Sequence, residues 1–453
     1  MPRSAPSITA RRRIASTMPL LPATVVAVAV ALGTVACAEG GATARSAVTR
    51  DSAGVAITES TGPAWGPGEA LALSAEPTVL VGEEEGAPEY QFGRIAAATR
   101  LSDGRLAVFD GMAHELRFYD AAGKFLSKTG GEGGGPGEYK FVSWMTRLRG
   151  DSLMVHDIMA QRITVLGPDG GVARSVNLAA ATPPPPAVEG AAGGARSRIV
   201  MSGMGRYRVL APFADGSLLA RVAGAPAMGQ QGVTRDSAVY VRLAPDGSLR
   251  DTVGTFVGDE TQLSTAGSSG NMSVMVGPPP FGRTTQVAVD RDGFWLGTAD
   301  RYELARYDAA GRLVRLVRRP VEPLAITEAD VAERKRQDLE GTITVGNRQD
   351  EGVFRRMAEQ RWENATIPKT MPAHGALMAD ANGHLWVREV TRPVDRVPRW
   401  TVFAPDGTML GTIAMPEGFR PLEFGDEYVL GVRKDDADVE QLALYQLRPA
   451  PRS

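Results

Sequence analysis

One stretch of this sequence occurs twice. Residues Thr78 to Phe92 read TVLVGEEEGAPEYQF, and residues Phe125 to Phe141 read FLSKTGGEGGGPGEYKF. Each is a short apolar strand, a Gly/Glu loop holding one proline, and Glu-Tyr-x-Phe leading into another strand. Internal repetition of this kind means that one supersecondary unit is used over and over, each copy burying its apolar surface on the next. The first copy stands ahead of any complete unit and the second stands inside the series, so the two should occupy equivalent places in a circular array. The first copy is then the strand that closes a ring.

The units themselves can be counted from their turns. In the first, Ile95 to Leu101, Arg105 to Asp110, Glu115 to Tyr119 and Lys124 to Lys128 are strands joined by Ser102-Asp103-Gly104 and Asp120-Ala121-Ala122-Gly123. The second runs from Val142 to Leu178 with the turn Pro168-Asp169-Gly170. The third uses Asp215-Gly216 and Pro245-Asp246-Gly247, the fourth Asp292-Gly293 and Asp308-Ala309-Ala310-Gly311, and the fifth Asn382-Gly383 and Pro405-Asp406-Gly407. Glycine supplies the positive φ that such turns need, and Pro, Asp and Asn shape the approach to it. A sixth unit has three strands, within Phe419–Phe424, Glu427–Val432 and Glu440–Leu447, and the strand it lacks is Pro77 to Val81. The expected fold is therefore an all-β, six-bladed β-propeller over residues 51–449, closed by an N-terminal strand so that no edge is left open. Residues Arg50 to Leu73 should run along the outside of the ring.

Insertions are unevenly placed. In an up-and-down blade the first-to-second and third-to-fourth turns share one face, and every Asp-Gly type turn above belongs to it. The long segments Ala179–Gly205, Gly224–Ser237, Gly258–Gly282, Pro320–Pro372 and Thr391–Pro398 all belong to the other face. Loops on a rigid scaffold carry function, so any binding site is expected there. Within these insertions, Pro183–Pro186 and Ser264–Gly270 read as unstructured. A short helical insertion is expected over about 327–364, between blades 4 and 5. It begins with the capping pattern Thr327-x-x-Asp330 and continues with the stripe Phe354, Met357, Ala358, Trp362, which is expected to bury on its own domain.

The N-terminus reads as a targeting segment. Arg11, Arg12 and Arg13 precede an uncharged run from Leu20 to Ala36, which ends in small residues before Cys37, the single cysteine. The run is short of the ~20 residues of a membrane span. Thr34-Val35-Ala36-Cys37 resembles a bacterial lipobox, which implies cleavage before Cys37 and its lipidation; an ordinary secretory signal is the other reading. Residues 1–37 are thus expected as signal, 38–50 as a flexible tether, and the mature protein as a lipid-anchored envelope protein of the outer membrane or facing the periplasm. Four of the 50 Lys and Arg residues, and none of the 52 Asp and Glu, precede Cys37. The remainder is mildly acidic without basic runs, which excludes a nucleic-acid footprint.

Chemical motifs are sparse. The doubled loop carries Glu83, Glu84, Glu85 and Glu89 in one copy and Glu132 and Glu138 in the other, near the expected channel mouth, where carboxylates could coordinate calcium. A solvated loop is the simpler account of them. Tyr90 and Tyr139 are expected to pack between blades, and Asp110 and Asp157, at equivalent strand ends, to accept loop amides. His114, His156, His374 and His384 lack zinc spacing, and only His374, at the start of an inner strand, is placed to approach the channel. Gly131–Gly137 lacks the context of a phosphate loop, and there is no Gly-x-Ser-x-Gly elbow. The candidate ligand face therefore comprises Glu89, Tyr90, Glu132, Glu138, Tyr139 and His374, with no catalytic set.

At Asp51-Ser52-Ala53-Gly54-Val55, Leu101-Ser102-Asp103-Gly104-Arg105, Tyr119-Asp120-Ala121-Ala122-Gly123 and Gly133-Gly134-Gly135-Pro136-Gly137-Glu138-Tyr139, the chain resembles the bacterial six-bladed β-propeller lipoproteins related to NHL-repeat domains. The resemblance implies the same fold and an exported address, and brings no active site with it. Two functions are left: a monomeric binding scaffold for a protein, peptide or glycan, or a hydrolase resembling the calcium-dependent lactonases.

Overall fold

A computed structural model describes residues 47–66, 68–181, 207–222, 232–266, 273–343 and 351–450. The signal segment, Cys37 and Pro183–Pro186 lie outside the described residues. Leu106, Ala107, Val108 and Phe109 are consecutive and all buried, which requires a strand covered on both faces. The same holds for Gly293–Gly297 in the fourth unit. Sheets of this kind have no face to offer water, so each must stack between two others.

The described residues form six such sheets. Blade 1 comprises Ile95–Arg100, Leu106–Asp110, Glu115–Tyr119 and Phe125–Gly130; blade 2 comprises Val142–Arg147, Leu153–Asp157, Arg162–Leu166 and Val172–Asn177. Blade 3 holds Tyr207–Pro212, Leu218–Val222, Val233–Leu243 and the long Leu249–Ala266, which folds back on Ser273–Gly277. Blade 4 holds Gln286–Val289, Gly293–Gly297, Glu303–Asp308 and Leu313–Arg318; blade 5 holds Leu377–Ala379, Leu385–Arg388, Arg399–Phe403 and Met409–Ala414. Blade 6 begins with Arg420–Phe424, Tyr428–Lys434 and Glu440–Pro449.

The core is divided in the same way. Six hydrophobic clusters lie one at each blade-to-blade interface. Neighbouring residues of one strand serve opposite interfaces: Phe294 packs towards blade 3 and Trp295 towards blade 5. Leu385 faces blade 4 and Trp386 faces blade 6, where it stacks on Phe424 at 4.0 Å between ring centroids.

The ring closes as the doubled stretch implies. Val79–Val81 pairs antiparallel with Leu442–Leu444, and Val81 is buried in the interface between blades 6 and 1. The segment ahead of it is bonded across three blades. Ala47–Ser52 and Val55–Ser60 form a hairpin whose second strand lies parallel to Leu313–Arg318, on the outer edge of blade 4. The amides of Ala64 and Trp65 donate to Met409 and Leu410 of blade 5 at 2.8 and 2.9 Å. Leu71–Leu73 then pairs with Leu447–Pro449 of blade 6. Gly411 makes room for this strap: a Cβ there would lie 2.1 Å from the Trp65 ring. Pairing begins at Ala47, so residues 47–50, expected as tether, are strand.

Two expectations about the insertions are refined. Ser264–Ala266, expected as unstructured, belongs to the outgoing strand of a hairpin, while 267–272 lie outside the described residues. The helical insertion forms two helices, as the capping pattern and the stripe imply, Glu328–Ile343 and Glu351–Glu363, the first running four residues past the expected end at Leu339. Trp362 is buried as expected, and the side chains of Phe354 and Met357 lie outside the described set.

Burial also sets a pH dependence. His156 is fully buried in blade 2, and desolvation pushes its pKa down from 6.5 to about 4. The unfolded chain binds this proton and the fold does not, so its contribution to stability is whole above 6.5 and is lost as pH falls towards 4. His384 acts in the opposite sense, since its hydrogen bond to Asp380 raises its pKa. Denaturant midpoints measured from neutrality down to about 4 should fall for the parent, with His156 supplying at most about 3 kcal/mol. His156→Gln should lose that part of the slope; an unchanged slope would contradict the buried neutral ring.

Candidate functional site

The two copies of the doubled loop are built for internal bonding. Tyr139 is 1% exposed and meets Phe109 edge-on at 4.9 Å, and burial pushes its hydroxyl up to about 12. Tyr90 packs on Tyr119, and its hydroxyl accepts the Phe125 amide at 2.9 Å. The Glu89 carbonyl accepts the Tyr119 hydroxyl at 2.5 Å, and the Glu138 carboxylate accepts the Gly135 amide at 2.7 Å. Glu132 is exposed and is joined to Tyr139 by a backbone bridge. Asp110 and Asp157 each accept four loop amides. These carboxylates shape crossings.

His374 is 1% exposed. Its Nε2 accepts the Ala299 amide at 3.2 Å and its Nδ1 lies 2.9 Å from the Gly375 carbonyl, so both nitrogens are used and the proton is assigned to Nδ1. Burial lowers its pKa, which suits a neutral ring held between blades 4 and 5. Among the described residues no three His, Cys, Asp or Glu side chains stand close enough together to hold a metal ion. A Ser-His pair exists in blade 2, with the Ser143 hydroxyl 2.7 Å from Nδ1 of His156. Asp157 is occupied by amides and Nε2 of His156 has no partner, so the third group that orients a base in hydrolytic triads is missing.

A different set of residues meets on the long-loop face. The insertion leaves the ring through a narrow neck, where Met371 N donates to Leu324 O at 2.8 Å and Ile326 N to Lys369 O at 3.1 Å. Thr327 then caps the first helix: its hydroxyl accepts the Asp330 amide at 3.2 Å, and the Asp330 carboxylate accepts the Thr327 amide at 2.9 Å. Arg392, from the blade 5 loop, pairs with the same carboxylate. Gln337 donates to the Pro393 carbonyl at 2.7 Å. At the far end Gln262 of the blade 3 hairpin bonds to the Asn364 carbonyl and accepts the Thr366 amide at 3.1 Å. The helices are thereby moored to blades 3 and 5.

Between these parts lies a cleft of about 870 Å³. The first helix contributes Arg334, Arg336, Gln337 and Glu340, the second contributes Arg361, and the blade 3–4 crossing contributes Pro278 to Gly282. Ring residues Met371, Pro372, Gly375, Ala376 and Arg388 form its base, and the blade 5 loop from Glu389 to Arg396 forms the opposite wall. A cleft of this size is typical of small-ligand sites. Of the six ligand-face residues expected from sequence, none lines it. Its arginines are spread over three segments without motif spacing, and only the placement of all but Arg388 on insertions pointed to this face.

No protein-family model matches the chain, and no curated protein matches it in sequence. Several solved structures are similar to it at low identity. A member of the DUF4221 family from Bacteroides vulgatus is 10% identical, with 84% of this chain and 99% of that one covered at a TM-score of 0.47. A protein from Bacteroides fragilis is 11% identical over 87% of this chain and all of that one, at 0.44. A gluconolactonase from Xanthomonas campestris is 11% identical over 79% and 88%, at 0.36.

Asp330 is the point where the cap and the Arg392 tie coincide. Asp330→Ala should cost about 1–2 kcal/mol locally. Hydrogen exchange should rise across residues 328–343 while the melting of the ring stays near that of the parent; unchanged exchange in the helix would refute its dependence on this carboxylate.

Proposed function

We propose that the protein is an exported, lipid-anchored propeller that holds a protein, peptide or glycan on its long-loop face. One observation carries this: separate insertions from blades 3, 4 and 5 are bonded to one another over the ring and enclose one cleft of about 870 Å³. Insertions that accumulated without function would have no reason to be moored to each other by side-chain bonds across 56 to 104 residues of sequence. The ring is the rigid base and the insertions are the recognition surface. The apolar run ahead of Cys37 supports an exported address, with the cysteine as the lipid attachment point. A hydrolase of the lactonase kind finds less support, because the Glu138 carboxylate is taken up by a loop amide and, among the described residues, the carboxylates of the doubled loop do not gather into a donor set.

Address and recognition can be tested together in the native host. Cys37→Ser should abolish incorporation of labelled fatty acid and move the protein from the membrane to the soluble fraction. Replacing residues 324–370 by a short Gly-Ser turn should leave the ring folded and abolish capture of the ligand that the parent retains. Capture that survives this replacement would refute the assignment of function to this face.

A further inference from the structure

The charges of the cleft do not cancel. Its lining carries Arg334, Arg336, Arg361, Arg388, Arg392 and Arg396 against four carboxylates, Glu340, Glu389, Asp395 and Glu417. Most of these are paired. Arg336 is bonded to Glu333 and Glu340, Arg334 to Asp338, Arg392 to Asp330, and Arg396 to Glu417. Glu389 is neutralised from behind by Arg319 at 2.7 Å and also accepts the hydroxyls of Tyr302 and Thr401. Asp395 accepts the backbone amide of its own loop, at Arg392.

Two guanidinium groups are left over. Arg388 has no carboxylate within ion-pair distance among the described residues, and its side chain makes no hydrogen bond there. It stands at the base of the cleft, its stem lying over Gly375, where a Cβ would come within 3.3 Å of it. Arg388 is open to the cleft yet ringed by protein, and these surroundings, followed by the charge of Arg334, lower its pKa. Arg361 gives one bond, to the Pro278 carbonyl at 2.9 Å, and its buried Nε has no partner. A guanidinium that lines a cleft without a carboxylate partner is free to pair with an anion that enters. The planar fork of an arginine matches the paired oxygens of carboxylate, phosphate and sulfate.

Resting on the function proposed above, we infer that the group recognised in this cleft is an oxyanion, a carboxylate, phosphate or sulfate of the ligand, and that Arg388 is its anchoring residue. The apolar walls at Pro279, Phe281 and Met371 would take the uncharged part of the same molecule. Removing Arg388 should weaken binding without loosening the fold, because among the described residues no protein group pairs with its charge.

The test is calorimetric titration of the mature soluble protein at low ionic strength with citrate, inorganic phosphate and inorganic sulfate as separate probes. Saturable binding to at least one is expected, weakening as salt is added. Arg388→Gln should reduce that affinity about tenfold or more, with a melting temperature equal to or above that of the parent. Arg312→Gln, on the short-turn face and paired with Asp308, should leave affinity near the parent value. Absence of saturable binding to all three probes at millimolar concentration would overturn the inference, and so would an Arg388→Gln variant that binds as tightly as the parent. Either result would leave ligand capture by the long-loop face standing, whereas failure of the 324–370 replacement to affect capture would remove that function itself.

Discussion

The inner strands of the six described sheets are covered on both faces, and that constraint dictates the rest. A four-strand sheet such as blade 1, with Leu106 to Phe109 all inaccessible to water, cannot end a stack. Each added blade covers one apolar face and presents another, so the series is satisfied only by returning to its start. The pairing of Val79–Val81 with Leu442–Leu444 is where that return is made. It completes the sixth blade and places Val81 in the cluster shared by blades 6 and 1. The amides and carbonyls of the last strand, which would otherwise form an exposed edge, are paired in the same step.

The outer strap extends this closure. Strands Ala47–Ser52 and Val55–Ser60 widen blade 4, Trp65 fills the space over Gly411 in blade 5, and Leu71–Leu73 lengthens blade 6. Blades 4 and 5 are also the blades that flank the helical insertion, and the loop of blade 5 forms one wall of the cleft. The strap thus ties together the outer strands of blades 4, 5 and 6, including the two blades that flank this insertion. A cleft assembled from three blades holds its shape only if those blades hold their spacing.

Architecture was legible in the sequence because it rests on local signals that repeat. Asp-Gly turns, short strand runs and the doubled Gly/Glu loop each report on a few neighbouring residues, and their recurrence supplied the blade count and the closing strand. Thr327 and Asp330 marked the helix start because a cap is a three-residue relation. The cleft was not legible, because Arg334, Arg361 and Arg388 become neighbours only through the mooring of Gln262 and Asp330 to distant partners. His374 misled as a channel residue for a related reason. Its place at the start of an inner strand was readable, but the contacts with Ala299 and Gly375 that bury it belong to the packing of two blades. The pairing of residues 47–73 across three blades was likewise beyond reach, since an outer strand has no periodic partner in the chain.

Closure by the N-terminal strand is the claim on which fold, face and cleft all depend. Its most direct measurement is thermal unfolding of a chain that begins after Val81, with and without a synthetic peptide spanning residues 69–82. The account predicts loss of the cooperative transition in the shortened chain and its recovery, saturable in peptide, when the strand is supplied. A shortened chain that melts as cooperatively and at the same temperature as the parent would contradict it.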